Sequence, residues 1–114
     1  MLARLYEAFN RQDFDAVLGQ LTDDVAWPNM IEQTVLHGRD QVRAYWEDQL
    51  TWSTPNVVPV GFIEQGDEIV VMVDQRIARD GQVARSTVAH RYRFKGDLVA
   101  AMTVESVEDH DFGR

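Results

Sequence analysis

The feature that most constrains the fold is a change of hydrophobic period part-way along the chain. Up to residue 50 the apolar residues recur at helical spacing, as in Leu2, Leu5, Tyr6 and Phe9, which fall on one face of a helix. From residue 57 onward four segments rich in β-branched residues are separated by short turns with Gly beside Asp. Helices followed by hairpins predict an α+β fold, with helices packed on one side of a curved antiparallel sheet.

The same patterns predict where the elements begin and end. Asp13 is predicted to cap a second helix that continues to Leu21, and a third helix is predicted over 40–50. A short strand over 25–27 is expected to end in a loop at Pro28, because proline cannot donate to a strand ladder. The hairpin strands are predicted over 57–63, 68–78, 83–94 and 98–107.

Size and composition limit the class of protein. With 114 residues, 45% of them hydrophobic, the chain can bury one core, so a single domain is predicted over 1–114. A net charge of -8 argues against nucleic acid and anionic membranes as partners. There is no apolar run of membrane-spanning length and no signal pattern at the start, which predicts a cytoplasmic protein. The chain has no Cys and three separated His, so neither a metal site nor a cofactor is expected.

Four short segments carry a family resemblance: Tyr-Glu-Ala-Phe-Asn at 6–10, Asp-Phe-Asp at 13–15, Asp-Asp-Val at 23–25 and His-Gly-Arg at 37–39. In these segments, and in the order of its elements, the chain resembles the nuclear transport factor 2-like superfamily, especially its SnoaL-like and ketosteroid isomerase-like branch. The resemblance covers nearly the whole chain. It implies a cone-shaped sheet wrapped around three N-terminal helices, a blind apolar pocket and a homodimer.

The resemblance also implies that the isomerase's own catalytic groups are missing. Its general base falls on Asn29, and an amide has no proton affinity useful for taking a proton from carbon. Its oxyanion-hole tyrosine falls on Leu5, while Tyr6 lies about 100° further round the helix. Its second oxyanion donor, a protonated carboxylic acid, falls on His90. Steroid isomerase activity is therefore not expected.

A different candidate site follows from strand alternation together with the resemblance. His90 shares a face with Val88 and Tyr92, so its side chain is predicted to point inward. There it either lines a pocket as an acid or base, or is a core histidine hydrogen-bonded to a neighbour. Asn29 either donates to a ligand or caps its own loop. Glu105 either lines the pocket or lies at a solvated rim. The predicted substrate-binding residues are Trp27, Asn29, Trp46, Gln75, Tyr92, Thr103 and Glu105.

The opposite face of the sheet has no helix left to cover it. It combines apolar and charged residues, among them Met72, Asp74, Arg91 and Met102. Such a mixed face predicts a homodimer interface. His110 falls in an acidic tail that is expected to fray.

Two functions remain open from the sequence. The first is a small-molecule-binding enzyme of isomerase, cyclase or dehydratase type, which transfers protons on an apolar substrate bearing a carbonyl or hydroxyl group. In it His90 is the acid or base, and Asn29, Gln75 and Thr103 orient the substrate. The alternative is a non-catalytic ligand-binding or dimerisation module with a vestigial pocket.

Overall fold

The computed structural model describes residues 2–106. It confirms an α+β fold in which three helices precede the main run of strands. The tail with His110, and the final residue of the predicted last strand, lie outside the described residues. The elements are α1 (Leu2–Asn10), α2 (Phe14–Leu18), β1 (Leu21–Asn29), β2 (Thr34–His37), α3 (Arg39–Leu50), β3 (Thr54–Gln65), β4 (Glu68–Arg79), β5 (Gln82–Lys95) and β6 (Leu98–Ser106).

The six strands form one curved sheet in the order β2-β1-β6-β5-β4-β3. Strands β3 to β6 are an antiparallel meander, as predicted, whereas β1 pairs with β6 in parallel, a pairing that the sequence did not predict. β2 was not predicted, and it forms where the chain turns back after β1. Pro28 is tolerated inside β1 because the pairing with β6 reaches only Ala26, so Pro28 has a partner strand on one side only.

The second helix is shorter than its apolar pattern predicts. Its cap is confirmed, because the Asp13 carboxylate accepts the backbone N–H of Ala16 at 3.2 Å. The helix ends at Leu18 and is followed by Gly19, whereas Leu21 already pairs with Val99 of β6. Leu21 therefore continues the apolar pattern while belonging to the sheet.

A tight turn between β4 and β5 sets the register of the strands that carry the site. Asp80 and Gly81 both have positive φ, 52° and 77°, the backbone of a two-residue type I′ hairpin turn. The register that follows places Val71 opposite His90. Because paired residues share a face, His90 lies on the inner side of the sheet with the fully buried Val71.

An irregularity in β6 reverses the predicted orientation of its second half. β5 pairs Phe94 with Val99 but Arg93 with Ala101, which leaves Ala100 as an extra residue. One extra residue moves every later side chain to the other face. Met102 is therefore buried on the inner face, and Thr103 is exposed on the outer face. The prediction that Thr103 lines the pocket is wrong for this reason, and Glu105, for which pocket and solvated rim were both open, is exposed on the outer face.

The helices cover the inner face of the sheet and form the core with it. One buried cluster includes Val42 and Trp46 of α3, Leu5 and Tyr6 of α1, and Val71 of β4. Within the described residues, no helix has both the length and the apolar character needed to cross a bilayer.

Candidate functional site

A cavity of about 180 Å³ lies between the helices and the inner face of the sheet. Its walls come from α1, from the end of β1, from α3 and from the four strands of the meander. Most of the lining is apolar, and the polar side chains in it are Tyr6, Tyr45, Gln49, Gln75, His90 and Tyr92.

A cluster of aromatic rings forms one wall of the cavity. Trp46 lies edge-on to Trp27 with ring centroids 5.5 Å apart, and it also contacts Phe9 and Phe14. Trp27 and Trp46 are 7% and 3% exposed, so both are core residues as well as cavity walls. The two roles are compatible because an apolar cavity is lined by side chains that also pack the core.

His90 is the functional group with the most unusual surroundings. It is 7% exposed and lines the cavity. Its Nδ1 lies 2.7 Å from the hydroxyl of Tyr6, and the Tyr92 hydroxyl donates to that of Tyr6, also at 2.7 Å. Burial lowers the pKa of His90 from its ordinary value of 6.5 to about 4, so the ring is neutral at pH 7. Burial also raises the pKa of Tyr6 and of Tyr92.

Tyr6 contacts His90 in the cavity wall, although the sequence did not predict Tyr6 as a site residue. The resemblance put Leu5 at the tyrosine position and left Tyr6 turned away, but both residues line the cavity. α1 lies along the cavity, so two adjacent residues flank it, and the longer side chain of Tyr6 reaches His90. The position of Tyr6 on the buried stripe of α1 was the available signal.

The remaining predicted residues divide between the cavity and other places. Gln75 lines the cavity, with its amide 3.4 Å from the hydroxyl of Ser86. Asn29 does not line it; its side-chain oxygen accepts the backbone N–H groups of Ile31 and Glu32, which is the loop role.

Thr103 and Glu105 belong to the outer face of the sheet. The Glu105 carboxylate pairs with Arg91 at 3.0 Å, and Arg91 also pairs with Glu68 at 3.1 Å. Arg91 thereby links β4, β5 and β6 on the side away from the cavity. Because the extra residue at Ala100 turns Met102 to the inner side, Met102 does not belong to the face that was predicted as a dimer interface.

The chemistry available in the cavity is narrow. Its lining contains no carboxylate, lysine, arginine or cysteine among the described residues. Within residues 2–106 no group of three or more His, Asp or Glu side chains is placed to hold a metal ion. The cavity thus combines apolar walls with neutral hydrogen-bonding groups. Among these groups His90 has the side chain that takes up a proton at the pH nearest to neutral, with a pKa of about 4.

The buried His90 should make stability depend on pH in a defined direction. The unfolded chain takes up a proton on this residue near pH 6.5, whereas the folded chain does so only near pH 4. Between these values the unfolded state binds more protons, so the free energy of unfolding is expected to fall by up to about 3 kcal/mol as pH drops. Urea unfolding at pH 7, 5.5 and 4.5 measures this fall.

His90→Gln separates this effect from the titration of carboxylates. The variant keeps an amide that can accept from Tyr6 but cannot take up a proton, so its stability is expected to fall less than that of the wild type. His37→Gln, which changes a histidine outside the cavity, is the matched control because it keeps His90. Parallel curves for the wild type and His90→Gln would show that burial does not hold His90 neutral.

The class of this protein is an α+β fold in which helices cover a curved sheet and leave a mostly apolar cavity between the two. The SnoaL-like domain model matches residues 2–102 of this chain. The chain therefore belongs to the SnoaL-like domain family and has the NTF2-like fold. A comparison with curated proteins found no match.

Several solved structures have a similar fold. An NTF2-like protein of unknown function from Burkholderia pseudomallei K96243 is 31% identical, with 90% of this chain and 84% of that chain covered and a TM-score of 0.80. TerC, co-crystallised with polyporic acid, is 22% identical with a TM-score of 0.82, and 92% and 86% of the two chains are covered. SalBIII, an epoxide hydrolase/cyclase-like enzyme in pyran ring formation, is 15% identical with a TM-score of 0.80, and 92% and 86% are covered.

Proposed function

We propose that this protein binds a small, mostly apolar molecule in the cavity, with an oxygen of that molecule on His90, and that it acts on the molecule as a cyclase-type enzyme. The observation that carries the proposal is the buried imidazole of His90 in the wall of a mostly apolar cavity, where burial lowers its pKa. A cavity of about 150 Å³ accommodates benzene. The observed 180 Å³ therefore suits a ligand whose buried part is about one ring.

The surroundings of His90 favour polarisation of a ligand oxygen over removal of a proton. A group with a pKa of about 4 is a weak base at pH 7, and the described lining holds no carboxylate to take its place. A neutral imidazole N–H can still stabilise negative charge that develops on a carbonyl or epoxide oxygen. This suits ring closure of a hydroxy-epoxide: the substrate's hydroxyl oxygen forms the new C–O bond, the epoxide C–O bond breaks, and the hydroxyl proton passes through water to the oxygen that the epoxide releases. In this proposal Gln75 orients the substrate, and Trp27, Trp46 and Tyr92 contact its apolar part; all four line the cavity.

Binding can be tested with two probes of the same shape. Cyclohexanone and methylenecyclohexane differ in whether the ring carries an oxygen acceptor, and both fit the cavity by size. We expect the ketone to bind about 2- to 12-fold more tightly, which is the range for one net hydrogen bond. Chemical-shift titration of the labelled protein measures both affinities.

Variants show whether His90 provides that preference. His90→Phe keeps a ring but removes the donor, so the ketone should then bind no more tightly than the hydrocarbon, whereas His37→Phe should bind the two probes as the wild type does. If neither probe saturates the wild type, or if His90→Phe keeps the ketone preference, the proposal fails.

The lack of a carboxylate in the described lining also favours the second candidate, a non-catalytic binding module. Exchange of the α-protons of cyclohexanone in D₂O distinguishes the two candidates, because polarising the carbonyl accelerates enolisation. Exchange faster than in buffer, and lost in His90→Phe, supports an enzyme. Saturable binding with exchange at the buffer rate supports the module.

Dimerisation through the outer face stays part of the proposal. Val58 and Ile63 of the edge strand β3 are 43% and 48% exposed, and their paired neighbours on this face are Asp74 and Val70. Exposed apolar side chains beside charged ones are typical of the core and rim of an interface. A cytoplasmic location likewise stays a prediction.

A further inference from the structure

Three buried side chains in the cavity wall form a short chain of hydrogen bonds. The Tyr92 hydroxyl lies 2.7 Å from the Tyr6 hydroxyl, which lies 2.7 Å from Nδ1 of His90. Tyr6 comes from α1 and the other two residues from β5, so the chain joins the helix to the sheet. Both hydroxyls are buried, and each can donate one proton and accept another.

Burial fixes the direction of these hydrogen bonds. Among the described residues the Tyr92 hydroxyl has Tyr6 as its partner and no other, so its proton must go to Tyr6 or stay unpaired in the core. An unpaired buried donor is costly, and Tyr92 therefore donates to Tyr6. The proton of Tyr6 then goes to Nδ1 of His90, the other polar atom within reach. Nδ1 accepts, so the single proton of the neutral ring lies on Nε2.

Nε2 is the nitrogen of the His90 ring that Tyr6 does not occupy. Nε2 has no hydrogen-bond partner in residues 2–106. In that range the fully enclosed side-chain polar atom without a partner is Oγ1 of Thr22, so Nε2 is not fully enclosed. Because His90 lines the cavity, the accessible side of its ring is the side that carries Nε2.

We propose that Tyr6 is a positioning residue that holds His90 in the Nε2–H tautomer, so that the cavity selects ligands with an unprotonated acceptor at this point. Such ligands carry a carbonyl, ether, epoxide or anionic oxygen. A ligand ammonium group is disfavoured, because it would meet an N–H donor in a lining without carboxylates. The ligand part of this inference rests on the proposed function, whereas the tautomer is a property of the free protein.

The tautomer can be read in the ligand-free protein by long-range ¹H–¹⁵N correlation of the histidine rings at pH 7. We expect His90 to carry its proton on Nε2, with the Nδ1–H form at least tenfold less populated. A cross-peak from the slowly exchanging Tyr6 hydroxyl proton to Nδ1 is also expected, because the hydrogen bond joins them. A ring proton on Nδ1 would overturn the proposal.

Three tyrosine-to-phenylalanine variants separate positioning from the general effect of removing a hydroxyl. Tyr6→Phe should raise the Nδ1–H population at least fivefold. Tyr92→Phe should keep the Nε2–H form, because Tyr6 still has His90 as its acceptor. Tyr45→Phe is the matched control: Tyr45 lines the same cavity, but its hydroxyl accepts from the backbone of Met30 instead.

Unchanged populations in Tyr6→Phe would overturn the positioning role. If that variant does not fold, the proton assignment in the wild type decides the question. A protein that shows the expected tautomer but binds neither cyclic probe retains this inference and contradicts the proposed function. A protein that binds the ketone while His90 carries its proton on Nδ1 supports the proposed function and contradicts this inference.

Discussion

Trp46→Ala is expected to lower the free energy of unfolding by about 3–5 kcal/mol, the usual cost of truncating a buried tryptophan. Trp46 is 3% exposed, and its ring contacts Phe9, Phe14 and Trp27 with centroids 5.2–5.5 Å away. Removing the ring therefore takes packing from α1, α2 and β1 at once. Urea unfolding measures the loss, and a marginally stable variant would show it as failure to fold.

Trp52→Ala is the matched control for this prediction. Trp52 is 38% exposed and has the Arg79 guanidinium over its ring at 5.4 Å. That contact is a surface cation–π pair, worth about 0.5–1 kcal/mol. A loss in Trp52→Ala equal to that in Trp46→Ala would contradict the view that the aromatic cluster around Trp46 holds the helices on the sheet.

Met102→Asp is expected to lower the free energy of unfolding by about 3–5 kcal/mol, because it leaves an unpaired carboxylate in the core. Met102 is 6% exposed and lines the cavity. The measurement is again urea unfolding, at pH 7 so that the new carboxyl group is ionised in the unfolded chain.

Thr103→Asp tests the neighbouring position. Thr103 is exposed and lies opposite Arg91 in the pairing of β5 with β6, so a new carboxylate there meets water and a cation. A change within about 1 kcal/mol is expected, which allows for the lower strand preference of Asp. Met102→Asp is expected to be the more damaging of the two substitutions, because the extra residue at Ala100 places Met102 on the inner face and Thr103 on the outer face. Without the extra residue, unbroken alternation from Val99 would make Thr103→Asp the damaging substitution.

Much of the fold could be predicted from local patterns. The helical stripe of α1, the Asp13 cap and the strands of the meander depend on residue spacing and turn chemistry, which the sequence carries directly. The inner placement of His90 also followed from strand alternation, because β5 pairs with β4 without interruption as far as Arg93.

The features that the sequence did not predict lie where distant segments meet. The parallel pairing of β1 with β6 joins segments more than 70 residues apart, and the extra residue at Ala100 appears only when β6 is set against β5. Neither leaves a signal in local hydrophobicity, because pairing and register are settled by the whole sheet. The outward placement of Thr103 and Glu105 follows from that one residue.

The sequence by itself determined an α+β protein, and its resemblance to the NTF2-like superfamily implied a pocket without the isomerase's carboxylates at the matching positions. Those properties depend on residue identity and spacing. Only the tertiary structure decided that Tyr6 contacts His90 and that Asn29 bonds its own loop. It also decided that Met102 lines the cavity in β6, whereas Thr103 and Glu105 do not. The physical reason is that a hydrogen bond between residues 84 positions apart, and the direction of its proton, depend on which groups the packed core leaves within reach.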